Sequence, residues 1–183
     1  PWEFTGSTPP WANNKRYAIR TRVIDRAHNV SQFMTASTFT FVFDDALPTQ
    51  SVVWPSDPDV ASYTDPRLST GAVVATISGT VADTGPSGVK EVKIRIWNQT
   101  RSKYWKYGTD YGTSGYDPTV TGDTAWFLVQ TTNSWVNWLS TFVFPLSGEY
   151  YRVEARSQDN SLNFTSSYAT ATFVIDQDLP TAV

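Results

Sequence analysis

The chain has 183 residues, of which 15% are aromatic and only 17% charged, and its net charge is −3 at pH 7. That balance excludes a disordered polyelectrolyte, and without a basic stripe it excludes nucleic acid as a partner. There is no cysteine and a single histidine, His28, which removes disulfides, thiolate metal sites and most Ser-His chemistry.

Residues 1–16 are turn-rich. Tyr17 to Ile24 alternates as a strand, with Tyr17, Ile19, Thr21 and Val23 on one face. Asp25 to Asn29 is a turn and Ser37 to Phe43 the next strand, completing a hairpin. Asp44-Asp45-Ala46-Leu47-Pro48 ends it, because Pro48 has no N–H to donate and restricts the residue before it. Gln50 to Trp54 follows as an edge strand closed by Pro55. The next stretch, with two Asp-Pro steps at Pro58 and Pro66, is loop.

Ala72 to Val81 reads as a strand with Val73, Ala75, Ile77, Gly79 and Val81 on its apolar face. Val89 to Trp97 alternates cleanly, with Val92, Ile94 and Ile96 facing in and Lys93, Arg95 and Trp97 facing out. Residues 101–123 are irregular and rich in tyrosine and glycine. Trp126–Thr131, Trp138–Phe144, Tyr150–Ser157 and Tyr168–Ile175 read as strands. No segment has sustained three-and-four spacing, so almost no helix is expected, and no run of about 18 apolar residues is present to insert in a membrane.

The hairpin and its linker occur twice. Tyr17, Arg22, Asp25 and Asn29 match Tyr151, Arg156, Asp159 and Asn163 at an offset of 134 residues. Thr38, Thr40, Phe41, Val42, Asp44, Leu47, Pro48 and Thr49 match Thr170, Thr172, Phe173, Val174, Asp176, Leu179, Pro180 and Thr181 at an offset of 132. A repeat of this period sets the domain plan. Residues 1–46 are the last strands of one domain, 47–179 a complete domain, and 180–183 the start of a linker or next repeat. The chain begins with Pro1 and shows no signal peptide, so it is expected to be a piece of a longer polypeptide.

About seven short strands separated by turns predict an all-β, antiparallel sandwich of immunoglobulin type. The series ISGTVADTGPSGVKEVKIRIWN, GEYYRVEARSQDNSLN and FVIDQDLPT resembles the bacterial Ig-like repeats of very large surface proteins. Those read "SGTA-D-SGV-V", then "Y-ARA-D-AGN", and end in a "D-PPT" linker. The resemblance covers most of residues 47–181, and residues 14–49 match its second half. It implies tandem immunoglobulin-like sandwiches with an incomplete first domain. It also implies an extracellular, cell-surface location and a role in extending or assembling a fibre, filament, stalk or adhesin. The usual Ala-Gly-Asn turn is Ala27-His28-Asn29 in one copy and Ser161-Leu162-Asn163 in the other, so its glycine is missing.

Two groups of residues carry candidate chemistry. In an immunoglobulin topology the incoming linker and two loops meet at one pole, which would gather Asp44, Asp45, Asp83, Asp159 and Asn163. Carboxylate and amide oxygens from several loops suit Ca²⁺, which takes six to eight oxygen ligands. No cofactor is required by this reading, and the plainer alternative is that each Asp bonds the backbone of its own turn. The second group is the aromatic run Tyr104, Trp105, Tyr107, Tyr111, Tyr116 and Trp126, which Trp135 and Trp138 could extend. It fits core packing, contact with a protein partner, or stacking against surface glycans in a carbohydrate-binding sandwich.

Enzymatic readings are poorer. Asp57 and Asp59 sit in a proline-rich loop without a cleft, and His28 has no evident nucleophile beside it. An intramolecular Lys–Asn isopeptide bond would need a buried lysine, and Lys93 faces out. No enzyme activity is expected. The expected partners are adjacent repeats or identical subunits in head-to-tail array. Strand edges left open in the first hairpin imply either a fragment trimmed from a continuous array or completion by a neighbouring subunit through strand addition.

Overall fold

The computed structural model describes residues 3, 5–7, 9–31, 38–55, 73–105, 121–131, 133–144 and 148–175. Among them every regular element is a strand and every pairing is antiparallel. The elements are β1 (Lys15–Arg20), β2 (Thr38–Phe43), β3 (Thr49–Trp54), β4 (Val73–Ala82), β5 (Val89–Asn98) and β6 (Lys103–Tyr104). They continue with β7 (Phe127–Leu128), β8 (Gln130–Thr131), β9 (Asn137–Phe144), β10 (Glu149–Asp159) and β11 (Ala169–Ile175).

One sheet runs β11-β10-β5-β6 with β7 also paired to β5, and the other runs β3-β4-β9-β8. Their inner faces share a core of Ile77, Val81, Trp138 and Phe142 against Val92, Ile94, Ile96, Tyr151, Val153 and Phe173. Burying each such side chain is worth about 1.5–3 kcal/mol, and this is what holds the sheets face to face as a sandwich. The alternation in β5 produces the layer directly: Val92, Ile94 and Ile96 are fully buried while Lys93, Arg95 and Trp97 lie on the outer face.

Gly79 has a packing reason. A Cβ there would fall 1.9 Å from the Ser51 carbonyl oxygen and 2.3 Å from the Trp138 ring. The buried Trp138 indole lies over the bare backbone and donates from Nε1 to the Thr80 oxygen at 3.3 Å. Only glycine admits it.

The segment read as one strand over Trp126–Thr131 divides between the two sheets. β7 pairs with β5, and after Val129, whose N–H donates to the Val92 oxygen at 3.2 Å, β8 pairs with β9. A strand that changes sheets in this way closes one side of the sandwich. On the opposite side Gln50 of β3 donates from Nε2 to the oxygens of Ala155 (3.0 Å) and Ser167 (2.9 Å) and accepts from Ser157 Oγ at 2.9 Å. That ties the edge strand of one sheet to β10 of the other.

β1 and β2 form a separate two-stranded sheet. It is stiffened by aromatic contacts: Trp11 lies edge-on to Tyr17 at 4.6 Å and to Phe41 at 5.2 Å, and Tyr17 stacks on Phe41 at 5.7 Å. The two copies of the hairpin keep the same turn atom for atom. Asn29 N donates to Asp25 Oδ1 at 2.8 Å and Asn29 Nδ2 to Oδ2 at 2.9 Å, while Asn163 does the same to Asp159 at 2.8 Å each. His28 and Leu162 occupy the missing glycine's place with φ of 63° and 71°. The turn keeps its left-handed geometry without glycine because the Asp–Asn clasp holds it closed.

Candidate functional site

The linker after β2 enters the sandwich at one pole, between the β4–β5 loop and the β10–β11 turn. Asp44 is buried there, with Oδ1 accepting from Ala46 N at 3.0 Å and Oδ2 from Ser87 N at 2.9 Å. Burial alone would raise its pKa, but the donors on Ser87 and Ala46 outweigh this and hold it below the ordinary value. Gly85 makes the fit possible, since a Cβ there would fall 2.1 Å from Asp44 Oδ1.

Asp83 accepts from Gly85 N at 2.9 Å through Oδ1, whereas its Oδ2 is buried with no hydrogen-bond partner. Asp159 is fully buried and accepts from Asn163 through both oxygens. Carboxylate oxygens of Asp44, Asp83 and Asp159 all lie within 4.8 Å of one another. Among the described residues no lysine or arginine forms an ion pair with any of the three. Three buried or half-buried like charges with no counter-charge are costly unless a cation or a proton neutralises them.

Asn163 enters this site as a donor. Its Nδ2 bonds both Asp159 Oδ2 and the backbone oxygen of Asp44, the latter at 3.1 Å, so it clasps the linker to the turn. Asp45 stands apart: it is exposed, and its N–H reaches Asn13 Oδ1 at 3.3 Å. Asn160 completes the pole by donating from Nδ2 to the Ser87 oxygen at 2.8 Å. Carboxylate oxygens from three residues this close together, one of them an orphan, can hold a hard cation.

The aromatic residues divide. Trp105 belongs to the core, 6% exposed and edge-on to both Phe127 and Phe142 at 5.2 Å, so it is not a surface ring. Trp138 is likewise core. Trp105 stands in irregular sequence, with no periodicity that would reveal this. Tyr104 packs on Trp97 with centroids 4.6 Å apart, on the outer face of the larger sheet. Trp126 joins it there through Arg95, whose guanidinium lies 5.1 Å from the Tyr104 ring and 4.6 Å from the Trp126 ring. Tyr107, Tyr111 and Tyr116, and the acids Asp57 and Asp59, lie outside the described residues. Lys93 Nζ pairs with Glu91 on the outer face at 2.6 Å.

A scan against protein-family models and searches of curated proteins and of solved structures give no match to the chain. The functional reading therefore rests on its own residues.

Proposed function

We propose that the chain is a structural and interaction module of a repetitive extracellular bacterial surface protein. Ig-like sandwiches in tandem would extend or assemble a fibre, filament, stalk or adhesin. The joint carries this reading. Asp44, immediately after β2, is held by Ser87 N at 2.9 Å and by Asn163 Nδ2 at 3.1 Å, and Pro48 four residues later is fully buried. The first hairpin thus runs into the sandwich through a segment fixed at its start and its end, which suits transmission of load along a repeat array.

A Ca²⁺ ion held by Asp44, Asp83 and Asp159 would complete the joint, neutralising the carboxylates and using the unpartnered Asp83 Oδ2. Calorimetric titration of the metal-stripped chain with CaCl₂ tests this. Saturable heat and a melting temperature lowered by chelator are expected. No heat, with melting unchanged in chelator, rejects the ion.

Strand addition is the second route to assembly. β10 is paired on both sides, by β5 and β11, whereas its counterpart β1 is paired only by β2 among the described residues. The free side of β1 is where a strand equivalent to β5 would lie, supplied in cis by a preceding segment or in trans by a neighbouring subunit. Light scattering against concentration distinguishes head-to-tail growth from a monomer.

A further inference from the structure

The outer face of the larger sheet carries a cation that the sandwich does not use. Of the outward side chains on β5 and β10, Lys93, Arg95, Arg152 and Arg156 are basic and Glu91 and Glu154 acidic. The pairs are Lys93 with Glu91, and Arg95 and Arg152 with Glu154. Arg156 has no carboxylate partner among the described residues. This leaves the face with a surplus of positive charge on a protein whose net charge is −3.

Arg156 is nevertheless fixed in place. Its guanidinium lies 4.3 Å from the centre of the Trp126 ring and 5.7 Å from that of Phe164. Its Nε is buried with no hydrogen-bond partner, so the terminal nitrogens are what it offers to solvent. Beside it is a cavity of about 210 Å³ lined by Arg156, Phe164, Thr165 and Tyr168. Phe164 and Tyr168 are half exposed, at 49% and 46%. Thr165 Oγ1 is buried and makes no hydrogen bond. Tyr168 is braced against Trp126 at 5.0 Å and against Arg95 at 5.2 Å.

The first copy of the hairpin shows what is particular here. At the equivalent places it has Arg22, Val30 and Ser31, and Ser31 Oγ is engaged by Val23 N at 2.8 Å. The arginine is common to both copies, but where the first has Val30 and an engaged Ser31 the second has Phe164 and an unbonded Thr165 hydroxyl.

We propose that this cavity is a subsite for a carboxylated sugar unit, a hexuronic acid within an acidic polysaccharide. A guanidinium held by stacking presents its remaining donors as a fork matched to a carboxylate. The flat rings of Phe164 and Tyr168 cover the apolar face of a pyranose. The volume is below the range that encloses a drug-sized ligand and suits one ring, with the rest of the polymer outside. An acidic peptide side chain would satisfy Arg156 but leave both rings uncovered. The site lies on the sheet face and goes beyond the joint, standing or falling independently of it.

Titration of the full chain with a short galacturonate oligomer, followed by tryptophan fluorescence and calorimetry at low salt, tests the assignment. Saturable binding is expected, together with no binding of the neutral galactose oligomer or of polyglutamate. Arg156→Leu should weaken binding by about tenfold or more, the loss of a charge-assisted hydrogen-bonded pair. Phe164→Ala, an exposed position that does not bear on folding, should also weaken it, and Asn29→Ala in the other copy should leave it unchanged. Absence of binding at millimolar galacturonate would overturn the proposal. So would equal binding of polyglutamate or of the neutral oligomer, or full binding by folded Arg156→Leu and Phe164→Ala.

Discussion

Asn163 Nδ2 donates to the backbone oxygen of Asp44, 119 residues earlier in the chain, at 3.1 Å. The same nitrogen bonds Asp159 Oδ2 at 2.8 Å. One amide therefore joins the end of β10, the turn after it and the linker that enters the domain.

Replacing that amide should be costly. Asn163→Ala leaves Asp159 Oδ2 buried without its donor and frees the linker, and a loss of about 2 kcal/mol is expected in urea unfolding. Asn29→Ala removes the equivalent clasp from an exposed turn and should cost no more than about 0.5 kcal/mol. Equal losses at the two sites would mean that the contact with Asp44 contributes nothing.

Gly79 faces a harder limit. Because a Cβ would lie 1.9 Å from the Ser51 oxygen and 2.3 Å from the Trp138 ring, Gly79→Ala must push β3 or the indole away. We expect destabilisation of at least about 3 kcal/mol and altered tryptophan emission. A variant melting like the parent would show that Trp138 does not pack as described.

Leu162 pulls in the other direction. With φ of 71° and 60% exposure it bears left-handed strain while burying little. Leu162→Gly removes about 1 kcal/mol of strain and costs about as much in chain entropy, so thermal stability should be unchanged or higher by up to about 1 kcal/mol. A clear loss would mean that the leucine side chain itself supports the turn.

Asp25 gives a pH signature. The Asn29 side chain, chiefly, and its backbone N–H hold the Asp25 carboxyl below its ordinary value of 3.8. A depressed folded-state pKa contributes stability that is complete above the unfolded value and is lost as pH falls through the folded one. Carboxyl NMR should therefore show Asp25 titrating below 3.8, with local fraying of the turn on further acidification. In Asn29→Ala the midpoint should rise toward the ordinary value, the backbone donors remaining, and no change there would assign the shift to another cause.

Much of the sandwich was legible because its strands bury one face. Val92, Ile94 and Ile96 alternating with Lys93, Arg95 and Trp97 fix both the strand and its register of burial. The division of Trp126–Thr131 at Val129 was not legible. Which sheet each half joins depends on β5 and β9, distant in sequence. Likewise the sequence leaves Trp105 and Trp138 open between core and surface, and their partners Phe142 and Gly79 decide for the core. The acidic pole was legible only through the topology that the repeat implied, and that topology could not separate Asp44 from its neighbour Asp45. The Arg156 cavity left no sequence signal, since it sets Arg156 of β10 against Phe164, Thr165 and Tyr168 of the turn after it, with Trp126 packed behind.

The joint at Asp44 is proposed to hold the β1–β2 sheet and the sandwich together as one mechanical element. Backbone ¹⁵N relaxation of the full chain in Ca²⁺ measures this most directly, by comparing amides of β1 and β2 with those of β4, β5 and β10. One common rotational correlation time is expected, separating into two on chelation or in Asp44→Ala. A β1–β2 sheet that tumbles independently while Ca²⁺ is present would contradict it.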